Sequence, residues 1–160
     1  MIVYHGSNIE VKTPKILLSR KGRDFGRAFY VTPIKEQAEK WALRKAQTDE
    51  GSKPIVSVFE WDEDCGKLSY KNFANEDHEW LEMIKKCRNN LNYKHMFDIV
   101  RGKIADDNVV DTITFYVEGV INEDQAIERL KYQNFNEQVA FCSEKSLAKL
   151  KFLKSYEVKK

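Results

Sequence analysis

The stretch Ile2-Val3-Tyr4-His5-Gly6-Ser7 places a histidine and a glycine directly after three strand-forming residues. Isoleucine, valine and tyrosine favour extended structure, because branched and aromatic side chains pack well on a pleated surface. A glycine weakens such a run, since it has no side chain to pack. We therefore predict a first strand over residues 2–4, which delivers His5 to its end.

Two later stretches have the same design, a short apolar strand flanked by polar residues. Gly26-Arg27-Ala28-Phe29-Tyr30-Val31-Thr32 predicts a strand over residues 27–31, and Glu137-Gln138-Val139-Ala140-Phe141 predicts another over residues 138–141. Because successive side chains of a strand point to opposite faces, only one of Glu137 and Gln138 can face a given cleft. We expect the three stretches to converge on one pocket.

Helices and further strands fill the intervening sequence. Thr32 followed by Pro33 predicts the start of a helix over residues 33–49. Further helices are expected over residues 76–91, after Asn108, after Asn122 and after Ser143, and further strands over residues 54–61, 97–100 and 152–158. Strands at both ends with helices between them favour an α+β class over a regular βαβ array. The length of 160 residues suits a single domain spanning residues 1–160.

Composition narrows the classes of function. With 27 basic and 25 acidic residues, the net charge of +2 predicts no strong attraction to nucleic acids or anionic membranes. Three widely separated cysteines predict neither a disulfide framework nor a zinc site, and we expect no metal. The sequence has no run of 18 apolar residues and no signal-peptide pattern near residue 1. We expect a cytoplasmic protein without membrane spans.

Together the three stretches resemble the three-part signature of ADP-ribosyltransferases of the histidine–tyrosine–glutamate type. The chain also resembles the bacterial family catalogued as domain of unknown function 3990, which is placed with that fold. The stretches that carry this resemblance are His5-Gly6-Ser7, Asp24-Phe25-Gly26, Phe29-Tyr30-Val31-Thr32, the helix from Gln37-Ala38 to Trp41-Ala42, Glu79-Trp80-Leu81, Asp98-Ile99-Val100 with Gly102 and Ala105-Asp106-Asp107, and Gln138 with Phe141. The resemblance implies a split β-sandwich, in which two short sheets with helical insertions surround a cleft for NAD.

The resemblance also implies roles for individual residues. His5 would bind the adenine-side ribose of NAD, the backbone of Gly6 would hold the nicotinamide amide, and Tyr30 would stack on the nicotinamide ring. The other residues expected to line the NAD site are Ser7, Phe25, Gly26, Phe29 and Thr32. Arg20 and its basic neighbours Lys21 and Arg23 would receive the pyrophosphate, since guanidinium groups bind phosphate in pairs of hydrogen bonds. The alternative for these three is a solvated basic loop.

The third stretch leaves the reacting group open. If its register follows the poly(ADP-ribose) polymerases, Glu137 is catalytic; if it follows the uncharacterised family, Gln138 takes the position, and we favour Gln138. A glutamine can orient a ribose hydroxyl but has no charge to stabilise an oxocarbenium-like transition state.

The resemblance implies a mono-ADP-ribosyltransferase that takes NAD as substrate and modifies a macromolecule, expected to be a protein. It further implies the toxin of a toxin–antitoxin pair, with a small antitoxin protein as partner. Because Gln138 is uncharged, the alternative is a module that binds NAD or ADP-ribose without catalysis. A scaffold with an empty cleft is a third interpretation.

Overall fold

The computed structural model describes residues 1–16, 21–104, 107–131 and 136–159. Within these residues the chain forms seven strands and five helices. The strands are β1 (Ile2–Ser7), β2 (Phe29–Val31), β3 (Ile55–Trp61), β4 (Tyr70–Asn72), β5 (Ile99–Gly102), β6 (Gln138–Phe141) and β7 (Leu150–Glu157). The helices are α1 (Lys35–Gln47), α2 (His78–Asn89), α3 (Asp107–Val117), α4 (Glu123–Leu130) and α5 (Glu144–Leu147).

The strands form two small sheets. Sheet 1 has the order β1-β3-β7 and is antiparallel throughout. Sheet 2 has the order β2-β6-β5-β4, and its only parallel pair among the described residues is β4 with β5. The predicted α+β class with two short sheets is therefore confirmed. None of the helices in the described ranges has the length and apolar character that crossing a bilayer requires.

The central strands β3, β5 and β6 are largely buried on both faces, and this limits where the side chains of the site can point. One apolar cluster fills the space between the sheets, with Val3 and Phe59 from sheet 1 and Phe29 and Val139 from sheet 2 among its members. The far face of sheet 1 packs on α1, and the far face of sheet 2 packs on α2, α3 and α4. We call the face of sheet 2 that meets sheet 1 its inter-sheet face, and the face that meets the helices its helix-side face.

The structure corrects several predicted boundaries. The first strand continues through His5 and Gly6 to Ser7, so His5 lies inside a strand and not at its end. The first helix starts at Lys35 instead of residue 33, because the backbone of Thr32 is bonded to another strand. Strand β4 has no counterpart among the predicted elements, since the short polar run Tyr-Lys-Asn carries no strand pattern.

Candidate functional site

Among the described residues, backbone hydrogen bonds join the edge of sheet 1 to the edge of sheet 2 at one residue pair, Tyr4 in β1 and Thr32 directly after β2. The amide of Tyr4 donates to the carbonyl of Thr32 over 2.8 Å, and the amide of Thr32 donates back over 2.9 Å. If this antiparallel register continued, Gly6 would lie opposite Tyr30. Among the described residues the backbone pairing does not reach this pair, and the imidazole of His5 contacts the carbonyl of Tyr30 instead. We call this unpaired stretch, bounded by His5, Gly6 and Tyr30, the β1–β2 opening.

The backbone of Gly6 faces this opening. Met1 exchanges hydrogen bonds of 2.9 and 2.8 Å with Trp61, so the odd residues of β1 pair with β3 and the even residues turn away. Tyr4 uses its outward groups on Thr32, whereas the N–H and C=O of Gly6 have no partner among the described residues. Gly6 is nevertheless buried. Because buried backbone groups are nearly always paired, this edge is suited to a ligand that both accepts and donates, such as a carboxamide.

The side chain of His5 lies at the mouth of the opening. Its Nδ1 is 2.7 Å from the carbonyl oxygen of Tyr30, and its ring stacks on Phe29 at 4.4 Å between centroids. Because a carbonyl only accepts, Nδ1 carries the hydrogen and the lone pair of the neutral ring is on Nε2. Burial, helped by the charges of Lys45 and Arg23 and opposed by the bond to Tyr30, lowers the pKa of His5 to about 4. At neutral pH, His5 therefore offers a hydrogen-bond acceptor.

The lowered pKa of His5 predicts that stability depends on pH. In the unfolded chain His5 has its ordinary pKa of 6.5, whereas in the folded chain it takes up a proton only near pH 4. Stability conferred by neutral His5 is therefore complete above pH 6.5 and is lost as pH falls toward 4, by about 3 kcal/mol in total. Urea unfolding of the wild type and His5→Gln at pH 7 and 4.5 measures the effect. We expect the wild type to lose more stability than the variant; equal losses would contradict the assignment.

Tyr30 points its ring to the helix-side face, because Phe29 before it faces the space between the sheets. Its hydroxyl donates to the carbonyl of Gly26 over 2.7 Å and accepts from the amide of Phe25 over 3.1 Å. Burial and the nearby Asp24 raise the pKa of Tyr30, so it remains a neutral phenol. The guanidinium of Arg23 lies 5.8 Å from the ring centroid, over the surface expected to stack on nicotinamide.

The contact between His5 and Tyr30 joins the imidazole of His5 to the backbone carbonyl of Tyr30, and it does not join the two rings. The imidazole packs on the inter-sheet side with Phe29, and the phenol packs against the helix-side cluster. The two rings therefore flank β2 at the opening from different faces.

Gln138 and Glu137 point in different directions, as expected for successive strand residues. The side chain of Gln138 is 5% exposed and lies on the face of Tyr30, because Tyr30 pairs with Ala140 and Gln138 is two residues away on the same strand. Glu137 instead forms an ion pair with Arg101, beside a cavity of about 220 Å³. Its backbone N–H and C=O are held by the side-chain amide of Gln37, at 3.3 and 2.8 Å. Gln138 is therefore the one that shares a face with Tyr30.

The other predicted NAD-site residues have local roles in the structure. Gly26 has a φ of +77°, which the turn before β2 requires, and Phe25 is buried. The hydroxyl of Thr32 accepts from the amide of Ile34 over 3.0 Å, and the hydroxyl of Ser7 lies 3.4 Å from Asn8 Oδ1. Arg20 falls outside the described residues.

Two residues that the sequence analysis did not single out, Arg88 and His95, support the turn at residues 24–26. Asp24 accepts from Arg88 Nε at 2.9 Å and from Nη2 at 2.5 Å, and its other oxygen accepts from Gln138 Nε2 at 3.1 Å. His95 is partly buried, and its Nε2 is 2.8 Å from the carbonyl oxygen of Phe25. Arg88 sits on an amphipathic helix with solvated neighbours, so nothing in the sequence signalled its partner 64 residues away.

Comparisons with known proteins place the chain among sequences without an assigned activity. A family model described as "Protein of unknown function (DUF3990)" matches residues 1–152. No curated protein and no solved structure shows significant similarity to the chain.

Proposed function

This chain belongs to the DUF3990 family of proteins of unknown function, and from the geometry of the β1–β2 opening we propose that it is an NAD-dependent mono-ADP-ribosyltransferase. The fold we propose for it is the split β-sandwich of that enzyme class, with NAD in the opening. The observation that carries the proposal is the unpaired, buried backbone edge of Gly6 beside a neutral His5, both within the described part of the chain.

The Gly6 edge suits the nicotinamide end of NAD. A primary carboxamide has one acceptor and two donors, and the backbone of Gly6 offers one donor and one acceptor pointing to the same side of β1. The pairing would extend the strand edge by one amide, as in a sheet. Because the carboxamide is held at both atoms, the orientation of the nicotinamide ring is fixed relative to its glycosidic bond.

His5 suits the sugar of the dinucleotide. Its Nδ1–H donates to the backbone carbonyl of Tyr30, and within the described residues its Nε2 has no hydrogen-bond partner. A ribose hydroxyl can donate to that nitrogen over the whole neutral pH range, because the pKa of His5 is near 4. Arg23 and Lys45, whose charges lower that pKa, give this end of the opening a positive potential that suits the pyrophosphate.

The reaction that follows is a substitution at the anomeric carbon of the nicotinamide ribose. The glycosidic C–N bond breaks with its electron pair going to nicotinamide, and a nucleophilic side chain of the acceptor forms the new bond and loses a proton. Tyr30 and Gln138 lie on one face of sheet 2, and we propose that they contact the nicotinamide and its ribose. We propose a protein as acceptor and a small antitoxin as natural inhibitor.

A second candidate function is supported by Gln138 itself. An amide at this position carries no charge to stabilise the positive ribose in the transition state. A module that binds NAD or ADP-ribose without breaking the glycosidic bond would need the same Gly6 edge and the same neutral His5.

Incubation of the purified protein with NAD labelled in its adenylate part, together with a cell lysate, tests the proposal. Transferase activity predicts release of free nicotinamide and label on a macromolecule. Saturable binding without nicotinamide release would support the module instead. If the thermal midpoint does not rise with NAD concentration, neither function holds, because a ligand that binds only the folded state must raise it.

A further inference from the structure

Gln138 is held from one side by an acidic side chain that has its own cationic partner. Asp24 is 7% exposed and accepts from Gln138 with one oxygen and from Arg88 with the other. Asp24 lies before β2, Arg88 on α2 and Gln138 at the start of β6, so three distant parts of the chain meet here. Such a buried set of charges is costly to build unless every member is satisfied.

The carboxylate dictates which way the amide of Gln138 points. A carboxylate accepts hydrogen bonds and does not donate them, so the NH₂ group of Gln138 must face Asp24. The oxygen Oε1 then points away from Asp24. It has no hydrogen-bond partner among the described residues, yet it is not fully enclosed.

Resting on the proposed function, we infer that Asp24, held by Arg88, is a positioning residue that makes Gln138 present its carbonyl oxygen to the nicotinamide ribose. The carbonyl end is the negative end of the amide dipole. Aimed at a ribose hydroxyl and the anomeric carbon, it favours the positive charge that develops as nicotinamide leaves. The NH₂ end in the same place would oppose that charge.

The variant Asp24→Asn reverses the amide. Arg88 only donates, so the introduced asparagine would turn its carbonyl to Arg88 and its NH₂ to Gln138. Gln138 must then accept with its oxygen and present NH₂ to the ribose. We expect kcat for nicotinamide release to fall about 10- to 100-fold. KM should change less than about threefold, because a ribose hydroxyl can accept from NH₂ as well as donate to a carbonyl.

The double variant Asp24→Asn/Gln138→Glu should rescue the reaction. The NH₂ group of the introduced asparagine would donate to one oxygen of the introduced glutamate, and the other oxygen of that carboxylate would face the ribose as an acceptor again. The variant restores both the hydrogen bond and the net charge of the cluster. We expect kcat to return at least to the wild-type value, a response that a purely structural role of Asp24 would not give.

Asp124→Asn is the matched control, since it removes one exposed carboxylate on α4 and should leave kcat unchanged. If Asp24→Asn alone does not fold, the double variant still decides the question. A kcat for the double variant below one-tenth of wild type, or a single variant equal to wild type, overturns the positioning role alone. A wild-type protein that binds NAD without releasing nicotinamide overturns this inference and the transferase but leaves the binding module, whereas one that does neither overturns the proposed function as well.

Discussion

Replacing Gly6 by alanine is expected to destabilise the fold by at least about 3 kcal/mol, the upper range of what overpacking costs. A Cβ atom at this position would lie 2.0 Å from the carbonyl oxygen of Ala38 and 2.9 Å from the amide nitrogen of Ala42. Both are backbone atoms inside α1, so no side chain can rotate to make room. Urea unfolding measures the loss, and a low yield of folded protein would be the extreme result.

Gly51→Ala is a control that separates steric overlap from backbone strain. Gly51 has a φ of +80° and open space around it, so alanine there is strained but meets no atom. The expected cost is about 1 to 2 kcal/mol. Equal unfolding midpoints for Gly6→Ala and the wild type would mean that the backbone of α1 does not pack against Gly6 as closely as described.

The second large effect is expected on the rate at which the protein releases nicotinamide from NAD. We expect His5→Ala to lower nicotinamide release at least about 100-fold, because it removes the proposed ribose acceptor and the hydrogen bond between His5 and the carbonyl of Tyr30. The fold should persist, since the adjacent Tyr4–Thr32 bridge is made by backbone atoms. Fluorimetric or chromatographic detection of nicotinamide measures the rate.

His78→Ala is the matched control for this experiment, because His78 is an exposed residue whose partners are Glu123 and Asp124 on α4. It should leave the rate unchanged. Full activity in folded His5→Ala would remove His5 from the site and with it the proposed mode of NAD binding.

The sequence predicted elements well where an apolar run or a helix-capping residue was clear. The strand over residues 138–141 coincides with β6, and Asn122 caps α4 through a full capping box, as its residue type suggested. The glycine led to a wrong end for β1. A glycine often marks the end of a strand, but Gly6 lies within β1, at a position where α1 leaves no room for a side chain. Leu91, predicted to lie in the second helix, is 58% exposed because α2 ends at Asn89.

The site was predictable in its strands but not in its side-chain directions. Chain order alone could bring His5, Tyr30 and Gln138 to neighbouring strands. It could not tell that Phe29, and not Tyr30, would stack on the imidazole, because that depends on which face of β2 meets the other sheet. The partnership of Asp24 with Arg88 and Gln138 joins residues 64 and 114 positions apart, and no local pattern reports such a contact.

The close fit of Gly6 against α1 has a consequence for affinity. Gly6 lies in a strand paired with β3, and its Cα packs directly against the backbone of α1, so its position is set by its neighbours before any ligand binds. Ordering a flexible loop for the same purpose would cost entropy on every binding event. If NAD binds here as proposed, the position that receives its nicotinamide is formed before binding, and any slow step in ligand capture should arise elsewhere along the dinucleotide.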